Sequence, residues 1–242
     1  MPHDALPSTL PRPQPSEERQ TQPWPALVIF DCDGVLIDSE IVVCRLTGEI
    51  LTDLGYPVTT EEVIRRFAGR PERGMIADIE ADWGQPVPPE FFTRVRQAIE
   101  HAYATELQIM PGITDLLNRL QTRTCVASSA YPAKLTLGLQ AVGLYDRFAP
   151  NIISASCVAQ GKPAPDVFIY AAGWMQTPPA RCLVIEDSTA GVRAAIAAGM
   201  RVFGFIGGRH CDATHRQSLL DAGAEQVIAS FDEIETLLPS AF

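Results

Sequence analysis

Two aspartates, Asp31 and Asp33, stand two residues apart at the end of a short apolar segment that begins at Ala26. Carboxylates this close raise each other's pKa unless a cation neutralises them. A hard divalent ion that takes oxygen ligands, Mg²⁺ above all, suits that role. Gly34 follows and lets the chain leave the segment sharply. A loop of aspartates that caps a helix is the alternative interpretation, but buried apolar strands rarely end in unpaired carboxylates, which favours a functional pair.

Polar residues also end two other apolar segments of the chain. TCVASS ends in Ser128 and Ser129, and CLVIED ends in Glu186 and Asp187. Short continuous apolar runs of this kind are typical of strands buried on both faces of a parallel sheet. Ligands collect at the carboxyl ends of such strands. The sequence therefore predicts that these four side chains meet the aspartate pair at one edge of the sheet.

The elements that must position these residues form an alternating pattern. Strands are predicted at 26–31, 124–129, 182–187, 201–206 and 225–230, with helical spacing of apolar residues between them. This alternation predicts an α/β fold, with a Rossmann-like parallel sheet covered by helices on both faces. The α/β catalytic core would consist of residues 26–40 and 111–242.

Residues 41–110 differ because they show helical patterns only. Thr59 and Glu62 have the spacing of a capping box, which marks the start of the second of four helices. An all-helical insert after the first strand predicts a separate cap domain. Its hinges would lie near residues 39–41 and 109–112, where Pro111 and Gly112 break the helix.

The composition excludes several classes of function. Nineteen basic and twenty-nine acidic residues in 242 give a net charge of −10, which disfavours nucleic acids and anionic membranes as partners. There is no apolar run long enough to span a membrane and no secretory signal pattern. Six cysteines without CxxC pairing indicate a reducing compartment such as the cytoplasm. Separately, we expect the protein to be a monomer. Residues 1–25 hold seven of the twenty prolines and predict a disordered Pro-rich tail.

The segment DCDGVLIDS (31–39) resembles the first motif of the haloacid dehalogenase superfamily of phosphohydrolases. Three further segments resemble the other motifs in the same chain order: TCVASS with Ser128, GKPAPDVF with Lys162, and VIEDSTAG with Glu186 and Asp187. Together the four motifs span residues 26–204. The helical insert is similar to the small cap of β-phosphoglucomutase-like members and of phosphatases of sugar phosphates and 6-phosphogluconate.

The resemblance implies a role for each matched residue. Asp31 would attack phosphorus and form an aspartyl-phosphate, and Asp33 would act as general acid and then as general base. Lys162 would neutralise phosphoryl oxygens and hold Asp31 in place. The hydroxyl of Ser128 and the amide of Ser129 would bind the phosphoryl group. The implied Mg²⁺ ligands are Asp31, the backbone carbonyl of Asp33, Asp187 and, directly or through water, Glu186.

Differences between this sequence and the patterns of particular family members reduce the number of reactions that it could catalyse. Dehalogenases lack the second aspartate and need no metal, so Asp33 favours phosphoryl transfer. Phosphonatases use a cap lysine, whereas residues 41–110 contain none. β-Phosphoglucomutase-like members carry a histidine and an arginine where this chain has Val43 and Glu72. The sequence therefore favours plain hydrolysis over a mutase reaction.

The expected activity is Mg²⁺-dependent hydrolysis of a small phosphorylated metabolite, such as a sugar, sugar-acid or polyol phosphate. Arg70 and Arg73 in the cap are candidate substrate-binding residues, with plain surface arginines as the alternative. A mutase of the β-phosphoglucomutase type is the first alternative function. A non-catalytic phosphate-binding module is the second, and it is disfavoured because no acidic or basic motif residue is missing. The four histidines have no ligand-like spacing, so none is assigned to a site.

Overall fold

The sheet at the centre of the molecule contains six parallel strands in a computed structural model that describes residues 24–68 and 72–242. The strands are β1 (Leu27–Phe30), β2 (Arg123–Ser128), β3 (Ile152–Ser154), β4 (Cys182–Glu186), β5 (Arg201–Phe205) and β6 (Gln226–Ile228). They lie side by side in the order β3-β2-β1-β4-β5-β6. The predicted α/β fold is confirmed, and the sheet has one strand more than predicted, the short edge strand β3.

The register of the central strands brings the predicted chemistry together. Phe30, the last residue of β1, pairs with Val126 of β2 on one side and with Ile185 of β4 on the other. Asp31 and Glu186 therefore leave neighbouring strands at the same level, and the backbone N–H of Asp31 donates to the Ile185 carbonyl at 3.0 Å. β1 is fully buried because helices cover both faces of the sheet.

Seven helices belong to the α/β part of the chain. They are α5 (Ile113–Arg119), α6 (Pro132–Ala141), α7 (Tyr145–Phe148), α8 (Asp166–Trp174), α9 (Thr189–Ala197), α10 (His215–Ala222) and α11 (Asp232–Leu237). Alternate residues of each strand face opposite sides of the sheet. Val28 and Phe30 pack in one apolar cluster with α5, α6 and α11, whereas Leu27 and Ile29 pack in another with α8, α9 and α10. Both faces of the sheet are thus covered, as predicted.

The remaining four helices lie between β1 and α5. They are α1 (Glu40–Asp53), α2 (Thr60–Phe67), α3 (Glu72–Trp83) and α4 (Glu90–Thr105). They enclose an apolar cluster of their own, with Leu51, Phe67 and Phe91 at its centre. Both bonds of the predicted capping box are present: Glu62 N–H donates to Thr59 Oγ1 at 3.2 Å, and Thr59 N–H donates to Glu62 Oε2 at 3.0 Å. We call this four-helix insert the cap.

The two linkers of the cap run next to each other. The Asp38 N–H donates to the carbonyl of Gln108, and the Met110 N–H donates to the carbonyl of Leu36, both at 2.9 Å. Ile37 and Ile109 form an antiparallel bridge between these bonds. The chain therefore enters and leaves the cap at the same place, directly above the carboxyl end of β1.

Trp24 and Pro25, the last two residues of the predicted tail, lie against the core. The Trp24 carbonyl accepts from Ser240 Oγ at 2.7 Å, and the Arg201 guanidinium lies 3.6 Å from the centre of the Trp24 ring. The packed chain thus includes two residues more than the predicted core, and the rest of the predicted tail lies outside the described residues.

No helix within residues 24–68 and 72–242 has the length and apolarity that a membrane crossing requires.

Candidate active site

Lys162 joins the ends of the three central strands. From the loop before α8, its ammonium donates to Asp31 Oδ1 at 2.6 Å, to Glu186 Oε1 at 2.7 Å and to the carbonyl of Ala127 at 3.1 Å. Its side chain is only 4% exposed. An ammonium group has three protons to donate, and these three acceptors come from β4 and from the residues at the ends of β1 and β2. Lys162 is therefore held rigidly against Asp31.

The electrostatics of this cluster follow from burial and from the neighbouring charges. Burial raises the pKa of Asp31 well above its ordinary value; Lys162 opposes this shift, while Glu186 and Asp187 add to it. Burial lowers the pKa of Lys162, but Asp31 and Glu186 more than offset this and raise it above its ordinary value. The lysine therefore stays protonated, and the group carries more negative charge than one lysine neutralises.

The acidic cluster fits a hard divalent cation. Asp31, Glu186 and Asp187 are buried, and one oxygen of each lies within 4.8 Å of the others. Gly34 leaves the space for Asp187: its φ is +77°, and a Cβ at this position would lie 1.9 Å from Asp187 Oδ2. Oxygen donors with excess negative charge are the ligand set that Mg²⁺ prefers.

Glu186 is the member of this cluster with the most hydrogen bonds. Its Oε1 accepts from Lys162, and its Oε2 accepts from the N–H and the hydroxyl of Ser188, at 2.7 and 2.9 Å. Ser188 in turn caps α9, because its Oγ accepts from the Gly191 N–H at 3.0 Å. Both oxygens of Glu186 are thus used in positioning its neighbours.

Asp33 lies among three donors that the sequence did not identify. Ser39 Oγ and Tyr103 OH donate to its Oδ1, at 2.5 and 3.1 Å, and Lys134 Nζ donates to its Oδ2 at 3.0 Å. Burial alone would raise the pKa of Asp33, but Lys134 and the hydrogen bonds outweigh it and lower that pKa. Lys134 is one of only two lysines in the chain, and this scarcity was the only sequence signal for its role. Tyr103 belongs to the cap helix α4, so the cap touches Asp33 directly.

The site opens into a cavity of about 590 Å³ between the core and the cap. Ser128 and Ser129 line it beside Asp31, and the Ser128 hydroxyl accepts from the Ala130 N–H at 3.1 Å. The cap side is mainly apolar, with Glu72 and Arg96 among its charged residues. The apolar cap residues that line the cavity include Val43, Phe67, Met75, Phe92, Val95 and Ile99.

Of the two arginines predicted for the cap, the structure describes only Arg73. Arg70 lies outside the described residues, and Arg73 is exposed on α3 and is not among the residues that line the cavity. Arg96 of α4 lines it instead, with its guanidinium 6.0 Å from the ring centre of Tyr131, in the loop after β2. Among the described cap residues it is the one basic side chain at the cavity. The helical periodicity of α4 did not reveal which polar residues face inward.

Two histidines that the sequence left unassigned contact Asp187. His210 Nε2 lies 3.1 Å from Asp187 Oδ2, and His215 Nε2 lies 2.6 Å from the Asp187 carbonyl oxygen. His210 is buried, whereas His215 is half-buried at the start of α10. His210 lies in the loop after β5 and His215 begins α10, both beyond the last motif, so no motif pointed to this contact.

Comparisons with known proteins agree with this geometry. Residues 25–199 match the family of haloacid dehalogenase-like hydrolases. The chain is 28% identical to 6-phosphogluconate phosphatase from Escherichia coli over 76% of this chain and 83% of that protein. It is 35% identical to a probable pseudouridine-5'-phosphatase from Drosophila melanogaster over 72% of this chain and 78% of that protein. The structure of ATU0790 from Agrobacterium tumefaciens, a haloacid dehalogenase-like protein of unknown function, aligns with a TM-score of 0.82 and 36% identity, covering 89% of this chain and 98% of that one.

Proposed function

Because the chain belongs to the haloacid dehalogenase-like hydrolases, we propose that it is an Mg²⁺-dependent phosphatase that acts on a small phosphorylated metabolite. The observation that carries the proposal is Asp31, a buried carboxylate held by Lys162 at 2.6 Å at the base of a cavity, with the second aspartate two residues away. One carboxylate can attack phosphorus while the other handles protons, which is the arrangement that a two-step phosphoryl transfer requires.

In the first step, a carboxylate oxygen of Asp31 bonds to phosphorus as the bond from phosphorus to the ester oxygen breaks. Lys162 holds the Asp31 carboxylate in one orientation and neutralises charge on the phosphoryl oxygens. Asp33 gives a proton to the leaving oxygen. In the second step Asp33 takes a proton from water, the water oxygen bonds to phosphorus, and inorganic phosphate leaves as Asp31 is restored.

A divalent ion would be held by Asp31, Asp187 and the backbone carbonyl of Asp33. When bound, such an ion supplies positive charge that stabilises the transferring phosphoryl group. Glu186 has both oxygens engaged by Lys162 and Ser188, which supports a positioning role for this residue rather than direct ligation. Lys134 donates to Asp33 Oδ2 and favours its ionised form, which is the form that takes a proton from water in the second step. The proton gained there is the one that Asp33 gives to the leaving oxygen in the next turnover.

The cap side of the cavity favours hydrolysis over a mutase reaction. Val43 and Glu72 both line the cavity. Valine forms no hydrogen bond through its side chain, and a glutamate repels a second phosphate group. Arg96, the one basic side chain of the described cap residues at this cavity, can offset a single further charge, but not the charge of Glu72 together with the second phosphate of a bisphosphate, which a mutase must release and rebind.

The free cysteines, all six of which lie in the described part of the chain, support a reducing compartment such as the cytoplasm.

The test is a phosphate-release screen over small phosphorylated sugars, sugar acids and polyols, with Mg²⁺ and with chelator. We expect inorganic phosphate from at least one compound, complete loss of release in chelator, and inhibition by excess Ca²⁺, whose longer bonds misplace Asp31. Full activity in chelator would contradict the metal assignment. Supplying β-glucose 1-phosphate with a catalytic amount of its bisphosphate distinguishes the mutase: glucose 6-phosphate that forms much faster than free phosphate would overturn the hydrolase assignment.

Arg96 is expected to select substrates that carry a second negative charge, such as a carboxylate. Arg96→Ala should raise KM for such a substrate by about tenfold or more, because a hydrogen bond to a charged group contributes about 1.5–3 kcal/mol. The KM of a small phosphate ester without a second charged group should stay nearly constant. Arg94→Ala is the matched control, since Arg94 lies on the same helix and pairs with Asp53 at 2.7 Å. Equal changes in KM for the two kinds of substrate would show that Arg96 does not recognise the second charge.

A further inference from the structure

The loop between β5 and α10 brings a group of nitrogen and sulfur donors together. His210, Cys211 and His215 each offer one donor atom, and these atoms lie within 4.8 Å of one another. The Cys211 Sγ lies 3.5 Å from His210 Nε2. His210 is buried, and the other two residues are half-buried, so a solvent ion can reach the group. We call these three residues the His-Cys-His cluster.

The chemistry of this cluster differs from that of the acidic cluster. Imidazole and thiolate donors favour Zn²⁺ and similar transition metals, whereas the carboxylates of the acidic cluster favour Mg²⁺. Zinc bonds of about 2.0 Å to nitrogen and about 2.3 Å to sulfur in a tetrahedron place these two ligand atoms about 3.5 Å apart. The observed separation of 3.5 Å fits this value. Four residues separate the two histidines, and this spacing occurs between zinc-binding histidines. The sequence-based statement that no histidine has a ligand-like spacing is therefore corrected for this pair.

We propose that His210, Cys211 and His215 form a second metal site, for Zn²⁺ or a metal of similar preference, beside the acidic cluster. On binding, the Cys211 thiol loses its proton, and the coordinating imidazole nitrogens bind as neutral donors. A water molecule or Asp187 would complete four ligands, because Asp187 Oδ2 lies 3.1 Å from His210 Nε2. This second metal would bind whether or not the chain is a phosphatase, although its site adjoins the acidic cluster through Asp187.

The position of the cluster links it to the acidic site. His210 Nε2 faces both Cys211 Sγ and Asp187 Oδ2. A metal on Nε2 takes the place of the hydrogen bond from His210 to Asp187 and so changes the environment of one carboxylate in the acidic cluster. If the two histidines served only as hydrogen-bond partners of Asp187, Cys211 would have no part in metal binding. A thiolate–metal signal separates these two possibilities.

The experiment uses the metal-free full chain in excess Mg²⁺, so that the oxygen ligands are already saturated, and titrates it with Co²⁺. We expect a thiolate-to-cobalt charge-transfer band in the near ultraviolet that saturates at one Co²⁺ per chain and is displaced by Zn²⁺. Cys211→Ser should abolish the band. Cys211→Ser should also lower the affinity for Zn²⁺, measured by competition with a chelating dye. Loss of a residue that only hydrogen-bonds to a metal ligand typically lowers affinity about 10–100-fold, and we expect a larger loss here because Cys211 binds the metal itself.

Cys157→Ser is the matched control, because Cys157 is an exposed free cysteine; the band should persist in this variant. His215→Ala tests the cluster without touching the thiol and should weaken Zn²⁺ binding as well. A circular dichroism spectrum and a melting curve for each variant establish that it is folded. The absence of a charge-transfer band in the unaltered chain would overturn the second site, as would a band that survives Cys211→Ser or disappears in Cys157→Ser.

Discussion

We expect Asp31→Asn to lower kcat by a factor of about 10⁴ or more while the protein stays folded. An asparagine amide has nearly the size of the carboxylate but is not a nucleophile, so the proposed aspartyl-phosphate could not form. The variant also removes one negative charge from a buried group of three carboxylates. Burial raises the pKa of Asp31, so its charged form is costly, and we expect the melting temperature in chelator to be unchanged or higher.

Asp38→Asn is the control for this variant. Asp38 is a buried carboxylate of the same DCDGVLIDS segment, but it pairs with Arg209 rather than with the acidic cluster. Its loss should lower the melting temperature and leave kcat within about an order of magnitude, because it removes an ion pair and no reacting group. The measurements are kcat on the best substrate of the screen and thermal unfolding in chelator. Comparable kcat values for Asp31→Asn and the unaltered enzyme would rule out Asp31 as the nucleophile.

Lys162→Met should be the most destabilising single change in the site. The ammonium is buried and binds two carboxylates, Asp31 and Glu186, at 2.6 and 2.7 Å. Removing one member of a buried ion pair costs about 3–5 kcal/mol because the other charge remains buried and unpaired. We therefore expect the free energy of unfolding in chelator, measured with denaturant, to fall by about that amount. Mg²⁺ should restore part of the loss, since the cation would bind Asp31, one of these two carboxylates, together with Asp187, and would do so only in the folded state.

Two further variants test the physical reason for this loss. The double variant Lys162→Met with Glu186→Gln removes a charge of each sign and should be more stable than Lys162→Met alone. Arg45→Met removes an exposed cation that pairs with Glu49 and Glu106 and should cost no more than about 1 kcal/mol. If Lys162→Met cost no more than Arg45→Met, the buried lysine would not be compensating the acidic cluster.

The sequence predicted those parts of the site that follow from strand ends. Asp31 and Glu186 come directly after or at the end of strongly apolar strands, and parallel pairing forces their backbones to the same level. The apolar runs also located five of the six strands. β3 was not predicted because three residues, Ile152–Ser154, are too few for a recognisable pattern and the first of them is only half-buried.

The contacts that the sequence missed depend on how separate elements pack. Asp33 is 70 residues from Tyr103 and 101 residues from Lys134 in the sequence. Apolar periodicity predicts contacts within one helix or strand, so it could not predict either of these contacts. The inward position of Arg96 depends on the rotation of α4 within the cap, which apolar spacing defines only to within a few residues. His210 reaches Asp187 because the loop after β5 folds back across Gly34 and Gly208, where a Cβ would lie 3.1 and 2.7 Å from the imidazole carbon Cε1.

The paired linkers of the cap have a consequence for how this protein can diversify. Asp38 and Met110 each form a backbone hydrogen bond to the opposite linker. The whole cap is therefore equivalent to one long loop inserted into the core, and the two ends of this loop are held together. The entropic cost of closing a loop grows only slowly with its length. Residues can therefore be added to or removed from the cap with little loss of stability in the core. Evolution can therefore rebuild the cap, and with it the part of the cavity wall that the cap supplies, while the acidic cluster and Lys162 stay in place in the core.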